Sequence, residues 1–302
     1  MKNRESPSRL MPTPSRRRFV QLLLGSAVLH SGAMPAAGRQ LDLSNETDLL
    51  SALIKMRGSL GPELVIGWVR AKRFGVSQGR VEPVCGLVAA TFNRFNRLSD
   101  ELFEVLTLEI THYTDFATGE LLDTVVMPFS NREVEVPAYR FGPTKARFAV
   151  RLDEKEDFAP AEQSTEGDFS PAGSVLMTKS IDPPQLRRGS LFLRHEEHGR
   201  VYPTDSKLPS MFYKESTIWS APADAVLDAD TLNVDSTVGY SAMTSWRPWM
   251  DMGGIPGHTT SNGFGGKARS VSDLPADFLR YTEQVHPDVL EDPGAALDAF
   301  EG

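Results

Sequence analysis

Residues 102–116 alternate strictly along the chain. Leu106, Leu108, Ile110 and His112 fall on one side, while Val105, Thr107, Glu109, Thr111 and Tyr113 fall on the other. Successive side chains of an extended chain point to opposite faces, so this pattern specifies a β-strand and excludes a helix. Asp115-Phe116-Ala117-Thr118-Gly119-Glu120 follows with turn chemistry and leads into a second extended run at 121–127. Strand-like segments also occur at 64–69, 84–92, 133–139, 146–152, 174–180, 190–195, 214–221 and 236–246. Short strands joined by tight turns predict an antiparallel meander.

Three helices are expected around these strands. The first starts at Ser44 or Asn45, carries Leu49, Leu50, Leu53, Ile54 and Met56 at helical spacing, and stops at Gly58. The second is opened by Pro222 and runs to Ala229; the third spans 276–285. Residues 153–173 are acidic and rich in Pro, Gly and Ser, which predicts a long surface loop or lid. Residues 248–273 are expected to be loop-rich. The fold class is α+β, mainly antiparallel β: a large curved sheet or open barrel with a few flanking helices, in a single domain over 39–302.

The first 38 residues stand apart. Ser15-Arg16-Arg17-Arg18-Phe19-Val20-Gln21 precedes an apolar run too short to cross a hydrocarbon core, which takes roughly 20 residues. Small residues, Ser31-Gly32-Ala33 and Ala36-Ala37-Gly38, then offer processing sites. The segment resembles a bacterial twin-arginine (Tat) export signal, which implies engagement of the Tat machinery, removal of 1–38 and a periplasmic address. Residues 1–38 hold six of the 32 basic and one of the 40 acidic groups, so the remainder carries 26 against 39, a net charge of −13. Such a surface repels nucleic acid and anionic lipid, so neither is an expected partner. The single cysteine, Cys85, excludes an internal disulfide and a cysteine-ligated cluster, and its apolar neighbours predict a buried thiol.

Candidate chemistry lies at four places. His112 shares a strand face with leucines and isoleucine, so it is expected to point into the enclosed sheet as a neutral imidazole able to accept a proton. His195-Glu196-Glu197-His198 has metal-ligand types, but it reads as a hairpin turn, and on a strand i and i+3 diverge; His195 alone is expected to face inward with Leu191 and Leu193. Arg247 lies among Tyr240, Trp246, Trp249 and Met250, a composition suited to stacking an aromatic ring and pairing an anionic oxygen with Arg. The glycines between Gly253 and Gly266 lack phosphate-loop spacing and read as a flexible loop that covers a site. No dinucleotide fingerprint, nucleophile elbow or zincin motif is present, so no organic cofactor or metal is assigned.

Trp246-Arg247-Pro248-Trp249-Met250-Asp251-Met252-Gly253, with Pro256-Gly257 and Gly266-Lys267, resembles the C-terminal signature of a bacterial family called domain of unknown function 1838. Glu109 followed by Tyr113, Asp115, Thr118, Gly119 and Glu120 resembles its upstream pattern, and the likeness runs from about residue 48 to 287. Met127-Pro128 departs from the Asn-Pro pair usual in that family. The family implies no reaction, although its members often carry Tat signals.

The expected function is that of an exported enzyme acting by acid/base chemistry, of lyase, dehydratase or isomerase type, on a small, apolar, aromatic molecule. His112 is the expected base; Arg247, Tyr240, Tyr113 and Glu109 complete the catalytic set, and Trp246, Trp249, Met250 and His195 hold substrate. The alternatives are a non-catalytic binder of hydrophobic small molecules and, at lower weight, a metal-dependent hydrolase using His112, His195 or His198.

Overall fold

A computed structural model of the chain describes residues 39–158, 165–166, 173–203 and 210–299. The expected signal at 1–38 and most of the acidic 153–173 stretch lie outside these residues. Helix α1 spans Glu46–Arg57. Asn45 caps it by accepting the Thr47 N–H at 2.8 Å and the Asp48 N–H at 3.4 Å, and the Gly58 N–H closes it onto the Ile54 carbonyl at 2.7 Å. Every residue from Asp48 to Met56 is buried, as befits a helix enclosed on all sides.

Among the described residues fourteen strands follow: β1 (Val65–Ser77), β2 (Arg80–Ser99), β3 (Leu102–Thr114), β4 (Thr124–Val126), β5 (Glu133–Glu135), β6 (Tyr139–Phe148), β7 (Arg151–Phe158), β8 (Thr165–Glu166), β9 (Gly173–Ile181), β10 (Gln185–Arg187), β11 (Ser190–Pro203), β12 (Met211–Pro222), β13 (Thr237–Ser245) and β14 (His258–Ala268). Helix α2 (Ala223–Leu227) lies between β12 and β13, and α3 (Ala276–Val285), α4 (Pro287–Glu291) and α5 (Pro293–Asp298) follow β14. β4 and β5 form a separate hairpin. The rest build one twelve-stranded sheet in the order β7-β9-β11-β12-β13-β14-β1-β2-β3-β6-β8, with β10 added beside β11. Every pairing is antiparallel, as the succession of short strands predicts.

The connection between its margins makes this sheet curl. β6 lies toward one margin and ends at Phe148; β7 forms the other margin and begins at Arg151, so only Ala149 and Val150 join them. Lys179 of β9 ties the two sides further by donating from Nζ to the Arg147 carbonyl of β6 at 2.6 Å. The result is a nearly closed, barrel-like sheet.

Three apolar clusters fix what the barrel contains. Leu50, Leu53 and Ile54 of α1 pack inside one end against Phe103, Leu193 and Trp219. Met127, Met250 and Met252 cover the other end with Leu87, Tyr113 and Tyr139. Outside, Phe278, Tyr281 and Leu297 of α3 and α5 cover Val88, Leu108 and Ile110. Cys85 is fully buried, and burial pushes its thiol pKa up.

Several local expectations are corrected. Residues 258–268 are not loop but the central strand β14, hydrogen-bonded to β13 and β1. Its glycines allow close approach to β1: a Cβ on Gly265 would stand 1.8 Å from the Trp68 carbonyl oxygen, and one on Gly263 would stand 2.1 Å from that of Arg70. His195–His198 is not a turn, because β11 continues through it to Pro203. Residues 153–158 are not loop, since β7 pairs with β9 as far as Phe158.

Candidate functional site: a buried carboxylate and phenol array

A cavity of about 420 Å³ lies inside the barrel between α1 and the covered end. That is large enough for a small organic molecule. It is lined by residues of β1, β2, β3, β6, β9, β11, β12 and β13, and the face β3 contributes is its polar one: Thr107, Glu109, Thr111 and Tyr113. The apolar face of β3 lies under α3 instead.

Cross-strand register gathers the charged groups. Glu215 of β12 is the Cα partner of Glu197 on β11, which pairs in turn with Lys179 on β9. On the other side Glu215 pairs with Ala242, Ala242 with Ser261, and Ser261 with Arg73 of β1. One row across six strands therefore runs from Arg73 to Lys179 with two adjacent carboxylates in it. Like charges directly opposite each other on a sheet are destabilising unless a proton or a cation intervenes. Both do here.

The Tyr213 hydroxyl stands between the two acids, 3.3 Å from Glu197 Oε2 and 3.3 Å from Glu215 Oε2. A phenol has one proton to donate, so it satisfies only one carboxylate and can accept from the other if that one is protonated. Arg57, at the C-terminal end of α1, approaches Glu197 Oε1 at 3.6 Å and donates to His195 Nδ1 at 3.2 Å. Burial pushes Glu197 up, but His195 when protonated, Arg57 and Lys179 outweigh it and hold its pKa below the usual carboxylate range. At Glu215 the balance is the reverse: burial and the Glu197 charge outweigh Arg57 and the Tyr213 hydrogen bond and push it up to about 8. At neutral pH the favoured chain is Glu215 protonated, donating to Tyr213, which donates to Glu197.

Glu109 adds a third acid. It accepts from Thr111 Oγ1 at 2.8 Å, and burial raises its pKa despite the opposing fields of Arg247, Arg73 and Arg57. Tyr213 and Tyr240 are both pushed well above the usual phenol range, chiefly by burial and then by the nearby Glu215, so both remain donors. Arg73 donates from Nε to Ser261 Oγ at 3.1 Å and lies over the Tyr113 ring at 5.3 Å.

Of the residues expected from the sequence, Glu109, Tyr113, Tyr240 and Arg247 all line this cavity. His112 does not. It sits on the opposite face of β3, hydrogen-bonded through Nε2 to Thr282 Oγ1 at 2.8 Å and packed on Phe278 and Tyr281 of α3. Burial and the neighbouring His286 depress its pKa to about 4, so the expected neutral imidazole is present but under a helix. His195 faces inward as expected, but it stands behind Arg57 and Glu197 and packs on Phe148, 5.4 Å between ring centres. Because arginine only donates, His195 Nδ1 accepts and Nε2 carries the proton; burial lowers its pKa to about 4. His198, on the other face, is exposed.

The substrate-holding roles expected for Trp246, Trp249 and Met250 do not match their positions. Trp249 backs Tyr113 at 5.4 Å between ring centres, Trp246 packs on Phe129 and donates to the Ile255 carbonyl at 3.1 Å, and Met250 is fully buried. They support the lining from behind. Sequence reasoning missed Glu197, Glu215, Tyr213, Arg57 and Arg73. The available signal was the alternation Tyr213, Glu215, Thr217, Trp219, which puts two polar groups on the same face as an indole.

Among the described residues, no cluster of three His, Cys, Asp or Glu is placed to hold a metal ion, and no helix is long and apolar enough to cross a membrane. Residues 202–301 match DUF1838, a protein family of unknown function. The DUF1838 segment includes Tyr213, Glu215, Tyr240 and Arg247, whereas Arg57, Arg73, Glu109 and Glu197 lie before it. It is shorter than the 48–287 likeness expected from the motifs, of which it includes the Trp246–Gly253 block. No curated protein matches the chain.

Proposed function

We propose that the cavity is the active site of an enzyme that moves protons on a small, largely apolar, aromatic molecule, in a lyase, dehydratase or isomerase type of reaction. The observation that carries this reading is the Glu215–Tyr213–Glu197 array, which keeps a proton available at neutral pH inside an enclosed cavity. Glu215 serves as general acid, kept protonated by burial and by the Glu197 charge across Tyr213, and regains its proton from water once product has left. Glu109, made more basic by burial, serves as general base. Arg73, Arg247 and Tyr240 stabilise negative charge that develops on substrate oxygen. His112, the base expected from the sequence, has no part in this scheme.

Proton exchange into candidate carbon acids and alcohols, followed by NMR in deuterated water, tests it. Glu109→Gln and Glu215→Gln should each slow exchange by about 100-fold or more, the usual contribution of a positioned acid or base. Turnover unchanged in both variants overturns the assignment. A ligand that co-purifies with the protein and is never altered would favour the non-catalytic binder, which the apolar walls around Val69, Leu87 and Val105 also suit.

The same proposal includes export. Ser15–Gln21 and the following apolar run support a periplasmic address reached through the Tat machinery. Replacing Arg16 and Arg17 together with lysine should leave a tagged protein in the cytoplasm; undiminished export contradicts it.

A further inference from the structure

His195 is buried at a penalty that its packing does not explain. It shares the inward face of β11 with Leu193 and Glu197, is 1% exposed, and has the Phe148 ring against its own. Leucine would suit that packing and leave no polar atom without a partner. The imidazole instead leaves Nε2 without a hydrogen-bond partner among the described residues, and burial disfavours its charged form. One contact stands against this penalty: the Arg57 guanidinium donates to Nδ1 at 3.2 Å.

That contact decides where Arg57 stands. Arg57 ends α1, with its guanidinium carbon 4.6 Å from the centre of the Phe148 ring and one nitrogen 3.6 Å from Glu197 Oε1. At that distance the approach to Glu197 is an ion pair and not a hydrogen bond, so the directional hold comes from His195. Glu197 receives the charge at Oε1 and keeps Oε2 for the Tyr213 hydroxyl. The arrangement requires a bare Nδ1, since a proton there would remove the acceptor and set two cations against each other. Besides Arg57, the charged groups acting on His195 are Lys179 of β9 and its strand neighbours Glu196 and Glu197; Thr217, its partner on β12, is uncharged. Burial prevails over the two acids, and the ring stays neutral above about pH 4.

We infer that His195 is the positioning residue of the acid array: its bare Nδ1 holds the Arg57 guanidinium at Glu197 and so decides which of the two opposed carboxylates is the ionised one. This rests on reading the array as the functional site. The cavity lining includes Arg57 and Glu197 but not His195, so His195 acts through Arg57 and touches no substrate. The Arg57 charge lowers the pKa of both Glu197 and Glu215. Without the hold, the guanidinium is free to swing away from Glu197; both acids then become weaker, and the division of roles between them fades.

Replacements in the full-length protein test this, read by the infrared band of the protonated carboxyl that Glu215→Gln removes. In the natural protein that band should disappear through about pH 8. His195→Leu keeps the bulk without an acceptor and should move the midpoint upward by about one pH unit. His195→Asn places Oδ1 where Nδ1 stands and should keep the natural midpoint. Arg57→Gln should give the same upward shift as His195→Leu, and the double variant should shift no further, because His195 acts only through Arg57. An unmoved midpoint in His195→Leu, an equal shift in His195→Asn, or a further shift in the double variant each overturns the inference. If His195→Leu does not fold, nitrogen NMR of the labelled natural protein decides. His195 should carry its proton on Nε2 at neutral pH, and Arg57→Gln should move the Nδ1 resonance; a proton on Nδ1, or a resonance indifferent to Arg57→Gln, overturns the inference. Midpoints that move as stated in a protein that exchanges no substrate protons leave this inference standing and remove the enzymatic reading. Unmoved midpoints with exchange intact remove this inference alone.

Discussion

Glu197 and Glu215 are directly opposed on neighbouring strands, and the Tyr213 hydroxyl lies 3.3 Å from a carboxylate oxygen of each. This triad turns a destabilising cross-strand pair into a store for one proton. It also divides the two acids chemically: Arg57 keeps Glu197 ionised, and burial keeps Glu215 protonated until about pH 8.

Stability should carry the mark of that proton. Glu215 has an ordinary value of 4.5 when unfolded and about 8 when folded, so between these limits the native state holds a proton the unfolded chain has lost. Its contribution is full below pH 4.5 and declines as pH rises through 8. Glu215→Gln cannot ionise, so its unfolding free energy should exceed that of the natural protein by at least about 1.4 kcal/mol at pH 9, one pKa unit's worth. Urea titrations across this range check it; parallel pH profiles contradict it.

The buried histidines act with the opposite sign. His112 and His195 are both depressed from 6.5 to about 4, so the stability each contributes is full above pH 6.5 and is lost as pH falls toward 4. His112→Gln should make the acid limb shallower, cost about 1 kcal/mol at pH 8 through the altered contact with Thr282, and leave ligand binding unchanged. Weakened binding in a stably folded variant would place His112 in the site after all.

Much of the fold is legible in the sequence because local signals agree with it. Asn45 and Gly58 bound α1, and the alternation of 102–116 defines β3. The inward face of β3 is not legible. Alternation separates two sets of side chains, but an apolar set seeks any apolar cover, and α3–α5 supply that cover outside the barrel. The usual assignment of the apolar face to the interior is thus reversed, which moves His112 out and brings Glu109 in. β14 is hidden for another reason: glycines chosen for close strand approach have the same composition as a loop. Glu197 and Glu215 lie far apart in sequence, so only strand register reveals them as a pair.

Gly265 should be irreplaceable. Gly265→Ala places a methyl group against the Trp68 carbonyl, within covalent range of backbone that cannot move without breaking the β14–β1 ladder. A loss of about 3 kcal/mol or failure to fold is expected in thermal unfolding. A variant of normal stability would show that β14 and β1 lie farther apart.

Ala242 stands between Ser261 and Glu215 in the charged row and lines the cavity. Ala242→Leu should fill space meant for the substrate, slowing proton exchange into it by about 100-fold or more while changing stability by less than about 1.5 kcal/mol. Undiminished exchange in a stably folded variant would locate the reaction elsewhere.

The shared proton itself is open to direct observation by infrared spectroscopy. The difference spectrum between the natural protein and Glu215→Gln at pH 7 should contain a protonated-carboxyl band that disappears as the pH passes about 8. A spectrum containing only ionised carboxylate at pH 7, or a protonated band that persists unchanged in Glu215→Gln, would contradict the account.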